Sequence, residues 1–88
     1  MKTTGTYLQK LREEKSLSQM TVATRLGYDT PQFISNMERN LSYVPATKFK
    51  KLVSILEADA KQLLLLIQSD MREQCELDIE EYRKRVGL

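Results

Sequence analysis

The sequence predicts an all-α protein, and three observations carry that expectation. Apolar residues recur at steps of three and four along the 88 residues, and no run of β-branched residues alternates with polar ones. The only two prolines, Pro31 and Pro45, stand where helices would begin.

A first helix is expected from about Thr6 to Lys15, with Leu8 and Leu11 turned inward. Ser18 is a good N-cap for a second helix, in which Val22, Ala23 and Leu26 share one face. Gly27 stops it, because the residue just past a helix often takes the left-handed conformation that glycine adopts without a steric penalty. Thr30 and Pro31 open a third helix: the threonine can accept from free first-turn amides, and proline at the first position loses no hydrogen bond. At 100° per residue Ile34, Met37 and Glu38 fall on one side of this helix. Gln32, Asn36 and Arg39 fall opposite, with Ser35 at their edge and Phe33 at the flank.

Leu41 to Val44 reads as a loop, and a fourth helix starts near Pro45 with Phe49, Leu52, Val53 and Leu56 inward. Asp59 caps a fifth helix that passes through the inward residues Leu63, Leu64, Leu66 and Ile67. After Ile67 the chain runs on for 21 residues with no proline, and no glycine before Gly87, so this helix is expected to continue. The division is therefore a domain over residues 1–68 and a helical extension over 69–88. Met71, Cys75, Ile79 or Leu77, Tyr82 and Val86 extend the apolar stripe of Leu64 and Ile67, with charged residues between them. A lone amphipathic helix cannot bury its own stripe, so this one must fold back or pair with a second copy. Pairing is the preferred reading, with Met71, Cys75, Ile79 and Tyr82 as the dimerisation face.

Composition removes several function classes. There is no histidine and Cys75 is alone, which argues against a metal site with nitrogen and sulfur ligands and excludes a disulfide within the chain. The chain has no glycine-rich phosphate loop and no paired nucleophile and base, and Glu13-Glu14 reads as solvated surface charge; neither an enzyme nor a cofactor is expected. The start lacks an apolar segment of signal-peptide type and Leu63 to Ile67 is too short to span a bilayer, so a soluble cytoplasmic protein is expected, in a bacterial or phage-infected cell, with no membrane partner.

The net charge of +2 is unevenly spread: residues 1–68 hold ten Lys or Arg against six Asp or Glu, and residues 69–88 hold four against six. A basic domain suits phosphate, with Lys48, Lys50 and Lys51 clustered near the start of the fourth helix. The outer face of the third helix adds base chemistry, because Gln and Asn can pair with an adenine edge and Arg can fork onto guanine or phosphate. Such residues also fill ordinary solvated faces. Their placement just after Ala23 and Gly27, in two short helices joined by a turn, favours double-stranded DNA as the partner.

The chain resembles the Cro and phage-repressor type helix-turn-helix regulators over about residues 7 to 67. The resemblance rests on Leu11-Arg12, Leu17-Ser18-Gln19, Val22-Ala23, Leu26-Gly27 and Ile34-Ser35-Asn36-Met37-Glu38-Arg39. It implies a five-helix domain with its third helix in the major groove, and dimers that read two half-sites. Gln32, Ser35, Asn36 and Arg39 would then face bases. Gln19, Thr30, Tyr43 and Lys48 are the candidate phosphate contacts, and Arg12 and Glu38 would form a structural ion pair. The function implied is a homodimeric transcriptional repressor. The alternative is an antitoxin-type module whose C-terminal helix binds a protein partner. The chain departs from the family pattern twice: the step from Gly27 to Ile34 is one residue longer than in the shortest-turn members, and Asn40 replaces a common glycine. Asparagine tolerates the left-handed conformation that such a reversal needs.

Overall fold

Each of the five helices starts and stops for a local reason. A computed structural model describes residues 3–88 and places α1 at Thr4–Glu14, α2 at Gln19–Arg25, α3 at Gln32–Glu38, α4 at Ala46–Leu56 and α5 at Ala60–Val86. The Ser18 hydroxyl accepts from the Thr21 amide at 3.0 Å and opens α2, and Gly27 leaves it at φ 90°. Pro31 is already in the right-handed region as α3 begins, while no side chain, Thr30 included, closes that helix's first turn. Asn40 takes φ 60° after α3, so asparagine does perform the reversal. Pro45 precedes α4, and the Asp59 carboxylate accepts from the Gln62 amide at 3.0 Å to start α5. With no breaker before Gly87, α5 runs unbroken for 27 residues. It makes the molecule 49 Å long against 26 and 21 Å in the other directions.

All five helices contribute to one core: Leu8, Val22, Ala23, Leu26, Ile34, Met37, Val44, Leu52, Leu56, Leu63 and Ile67. Leu11, Phe49 and Val53, expected inward, are only partly buried against it. Leu64 is a correction. It was expected to face inward, but Leu63 and Ile67, one helical turn apart, occupy the inward face and leave Leu64 57 % exposed.

Helix α1 begins two residues earlier than its apolar pattern suggests, because a distant side chain caps it. The Asp70 carboxylate on α5 accepts from the Thr3 amide at 2.9 and 3.1 Å and from the Thr4 amide at 2.9 Å. These first-turn amides have no partner within their own helix. Asp70 is 2 % exposed, so the boundary expected at residue 68 cuts through the packed domain. Beside it, the Gly5 amide donates to the Asn40 side-chain oxygen at 2.9 Å, joining α1 to the end of α3. A Cβ on Gly5 would lie 2.3 Å from the Glu38 carbonyl oxygen and 2.6 Å from that of Met37, so only glycine allows this approach.

Two outcomes follow for stability, both read by chemical denaturation. Gly5→Ala should destabilise by about 1 to 3 kcal/mol, since the clash is with backbone. Alanine's higher helix propensity would otherwise favour it. Burial pushes the Asp70 pKa up, but hydrogen bonds at Thr4 and Thr3 outweigh burial and hold it below the usual carboxylate value. Its stabilisation should be complete above about pH 4, the unfolded value, and lost as pH falls through the lower folded value. Asp70→Ala should cost about 1 to 3 kcal/mol at neutral pH and flatten that acid dependence.

Candidate nucleic-acid interface

Glu38 closes the last turn of α3, where the negative end of the helix dipole disfavours a carboxylate. It is nonetheless buried, with its side chain 5 % exposed, because three donors meet it. Arg12 on α1 approaches in a fork, Nε to Oε2 at 2.6 Å and Nη2 to Oε1 at 3.1 Å, and the Gln19 amide on α2 donates to Oε1 at 3.0 Å. The third arm of Arg12, Nη1, donates to the Leu17 carbonyl at 2.8 Å, just before α2. The hydrogen bond to Glu38 raises the Arg12 pKa further, against the lowering effect of burial. This is the ion pair expected between Arg12 and Glu38, and it fixes α3 against both preceding helices. The participation of Gln19 was not legible in the sequence. Its side-chain amide turns inward to Glu38.

The opposite face of α3 carries the four candidate base-facing residues. Gln32 and Arg39 are exposed, and Ser35 and Asn36 are half-buried. Three of them form a chain: Gln32 Nε2 donates to the Asn36 oxygen at 2.8 Å and Arg39 Nη2 donates to the same oxygen at 3.1 Å. Thr30 is exposed just before the helix, and Tyr43 is 39 % exposed in the loop before α4. Lys48 on α4 reaches back, its ammonium donating to the Leu26 carbonyl at 2.8 Å and lying 5.3 Å from the centre of the Tyr28 ring. A cation at the C-terminal end of α2 meets the favourable end of that helix's dipole. Tyr28 in turn stacks on Phe33, with centroids 4.9 Å apart and planes 17° from parallel. Tyr28 was missed because it lies in a turn, where no periodicity marks a packing residue.

The candidate dimerisation residues lie together on α5. Met71, Cys75, Ile79, Tyr82 and Val86 share one side at 100° per residue, with Leu77 on the other. All five are exposed, and so is every residue from Cys75 to the end, so the extension projects and does not fold back. The stripe meets an open apolar groove lined by Val44, Ala46, Phe49, Leu64, Ile67 and Met71. Among the described residues, no helix is long and apolar enough to cross a membrane, and no group of acidic or cysteine side chains is placed to hold a metal ion.

No family model matches the chain, and no curated protein matches it. Among solved structures it is similar in fold to the crystal structure of the clp gene regulator ClgR from Corynebacterium glutamicum. The TM-score is 0.64 at 19 % identity, covering 97 % of this chain and 90 % of that one. The shared feature is the all-helical architecture.

The Arg12 and Glu38 side chains are 13 % and 5 % exposed, so removing one charge strands the other in a poorly solvated site. Glu38→Ala should therefore destabilise by about 3 to 5 kcal/mol in thermal or denaturant unfolding. Glu13→Ala, on the exposed side of α1, should change stability by less than about 1 kcal/mol.

Proposed function

We propose that this chain is a sequence-specific DNA-binding regulator of transcription, which acts as a homodimer and represses from a palindromic operator. The observation that carries the reading is the two-sidedness of α3. Glu38 anchors one face to α1 and α2, while on the other Gln32 and Arg39 are exposed and Ser35 and Asn36 are half-buried between them. A rigidly held helix with amide and guanidinium groups on its free face suits major-groove base edges. The regulator named among similar folds agrees with that class. Thr30 lies in the turn before α3, Tyr43 in the loop before α4 and Lys48 on α4 against Leu26 and Tyr28, and these are the candidates for backbone phosphates. In this reading Lys48 exchanges its bond to Leu26 for a phosphate, or shares it.

The exposed stripe from Met71 to Val86 supports pairing through α5. Two-fold pairing would present two α3 helices to half-sites about 34 Å apart or a multiple of that. Selection from random DNA with purified protein tests the reading and should return a palindrome. Against that site, Gln32→Ala or Asn36→Ala should lose about 1 to 3 kcal/mol while binding to random DNA barely changes. Equal losses on both DNAs would mean that α3 does not read bases.

The dimer is tested separately. Because Asp70 belongs to the packed domain, truncation after Gln74 removes only exposed residues. The shortened chain should remain folded, appear monomeric by light scattering and bind the palindrome far more weakly, since its half-sites are no longer linked. A full-length protein that is monomeric at tens of micromolar would assign the stripe to another protein, as in an antitoxin.

A further inference from the structure

The stacked pair Tyr28 and Phe33 stands outside the set of base-facing and phosphate-contacting residues. Phe33 is the second residue of α3, one after Gln32 and three before Asn36, so it flanks the polar face at the helix's leading turn. It is not a core residue in the way that its neighbours are. Ile34 and Met37 are each 3 % exposed, whereas Phe33 packs against the core and is only partly buried. Its ring lies against Tyr28, and Tyr28 is itself covered by the ammonium of Lys48. A ring fixed in this way cannot rotate inward without breaking the stack.

At the N-terminal end of a helix in the major groove, side chains lie against base edges. A phenyl ring offers no hydrogen bond there. The apolar feature that a base edge presents in that groove is the C5-methyl of thymine. The geometry points to Phe33 as a specificity-determining residue that contacts one thymine methyl in each half-site, with Tyr28 as the positioning residue behind it. The inference rests on the DNA-reading function above and deepens it by naming the base group recognised.

Uracil differs from thymine only in lacking this methyl, so the test is made on the DNA. Each thymine of the selected site is replaced by deoxyuridine, symmetrically in both half-sites, and binding is measured with the full chain. One position should lose about four-fold in affinity per methyl removed. That thymine should lie within one base pair of the base whose identity Gln32→Ala relaxes, a comparison that uses only wild-type protein and an exposed variant. Phe33→Ala should bind thymine and uracil sites equally, and Tyr28→Ala should shrink the difference while keeping preference at the Gln32 base. If every uracil site binds as well as its thymine parent, or the methyl effect persists unchanged in Phe33→Ala, the assignment is overturned and DNA reading survives. A selection that enriches no sequence overturns both.

Discussion

A carboxylate held where its own helix repels it is the constraint on which this structure turns. Glu38 sits at the negative end of the α3 dipole and inside the protein, and either condition alone would argue against a charge there. The forked Arg12 and the Gln19 amide make it tolerable, and in doing so they bring α1, α2 and α3 to one point. Apolar contacts between Ile34, Met37 and their neighbours are non-directional and would permit α3 to slide or roll by a fraction of a turn. The bidentate geometry at Glu38 does not, because a guanidinium fork fits a carboxylate in few orientations. The orientation of the outer face of α3 is therefore set from behind.

The other end of the same assembly links α5 to that face. Asp70 caps α1, the Gly5 amide of α1 bonds the Asn40 side chain, and Asn40 ends α3 in the left-handed conformation. Two independent junctions thus fix α1 to α3, and one of them passes on to α5. The long helix is not a tail loosely tethered to the other four helices. Any symmetric pairing through its outer stripe would carry a fixed direction of α3, so the spacing between two copies of that helix would be a property of the fold.

Much of this was legible in the sequence, for identifiable reasons. The helix starts at Ser18, Pro45 and Asp59 and the stop at Gly27 are local chemistry, and each appears where the residue types place it. The inward set of α3, including the charged Glu38, follows from a 3.6-residue period. What escaped is tertiary. Asp70 caps a helix 66 positions away in sequence, and Gly5 is required by a carbonyl of another helix, so neither leaves a local mark. Ser16 and Glu57 adopt positive φ at the ends of α1 and α4 without the glycine that usually signals it. In the candidate site, the four face residues were readable from spacing, but the inward turn of Gln19 and the Lys48 contact with Leu26 were not. Both depend on what lies opposite, which a single helix cannot specify.

The internal hydrogen bonds of the outer face also bear on how such a surface discriminates. The Asn36 oxygen accepts from both Gln32 and Arg39, so these side chains are already bonded to one another before any partner arrives. Ordering them in advance lowers the entropy lost on binding. In the proposed role it would also set a threshold, since a base edge would have to replace bonds that already exist and not merely supply new ones. A matched edge exchanges them at little net cost, whereas a mismatched edge leaves an amide or guanidinium group unpaired against a dry surface, where an unmet donor costs about 1 to 3 kcal/mol. In the proposed DNA-reading role, selectivity would come chiefly from the penalty on wrong sequences, and the network on α3 is what would make that penalty felt.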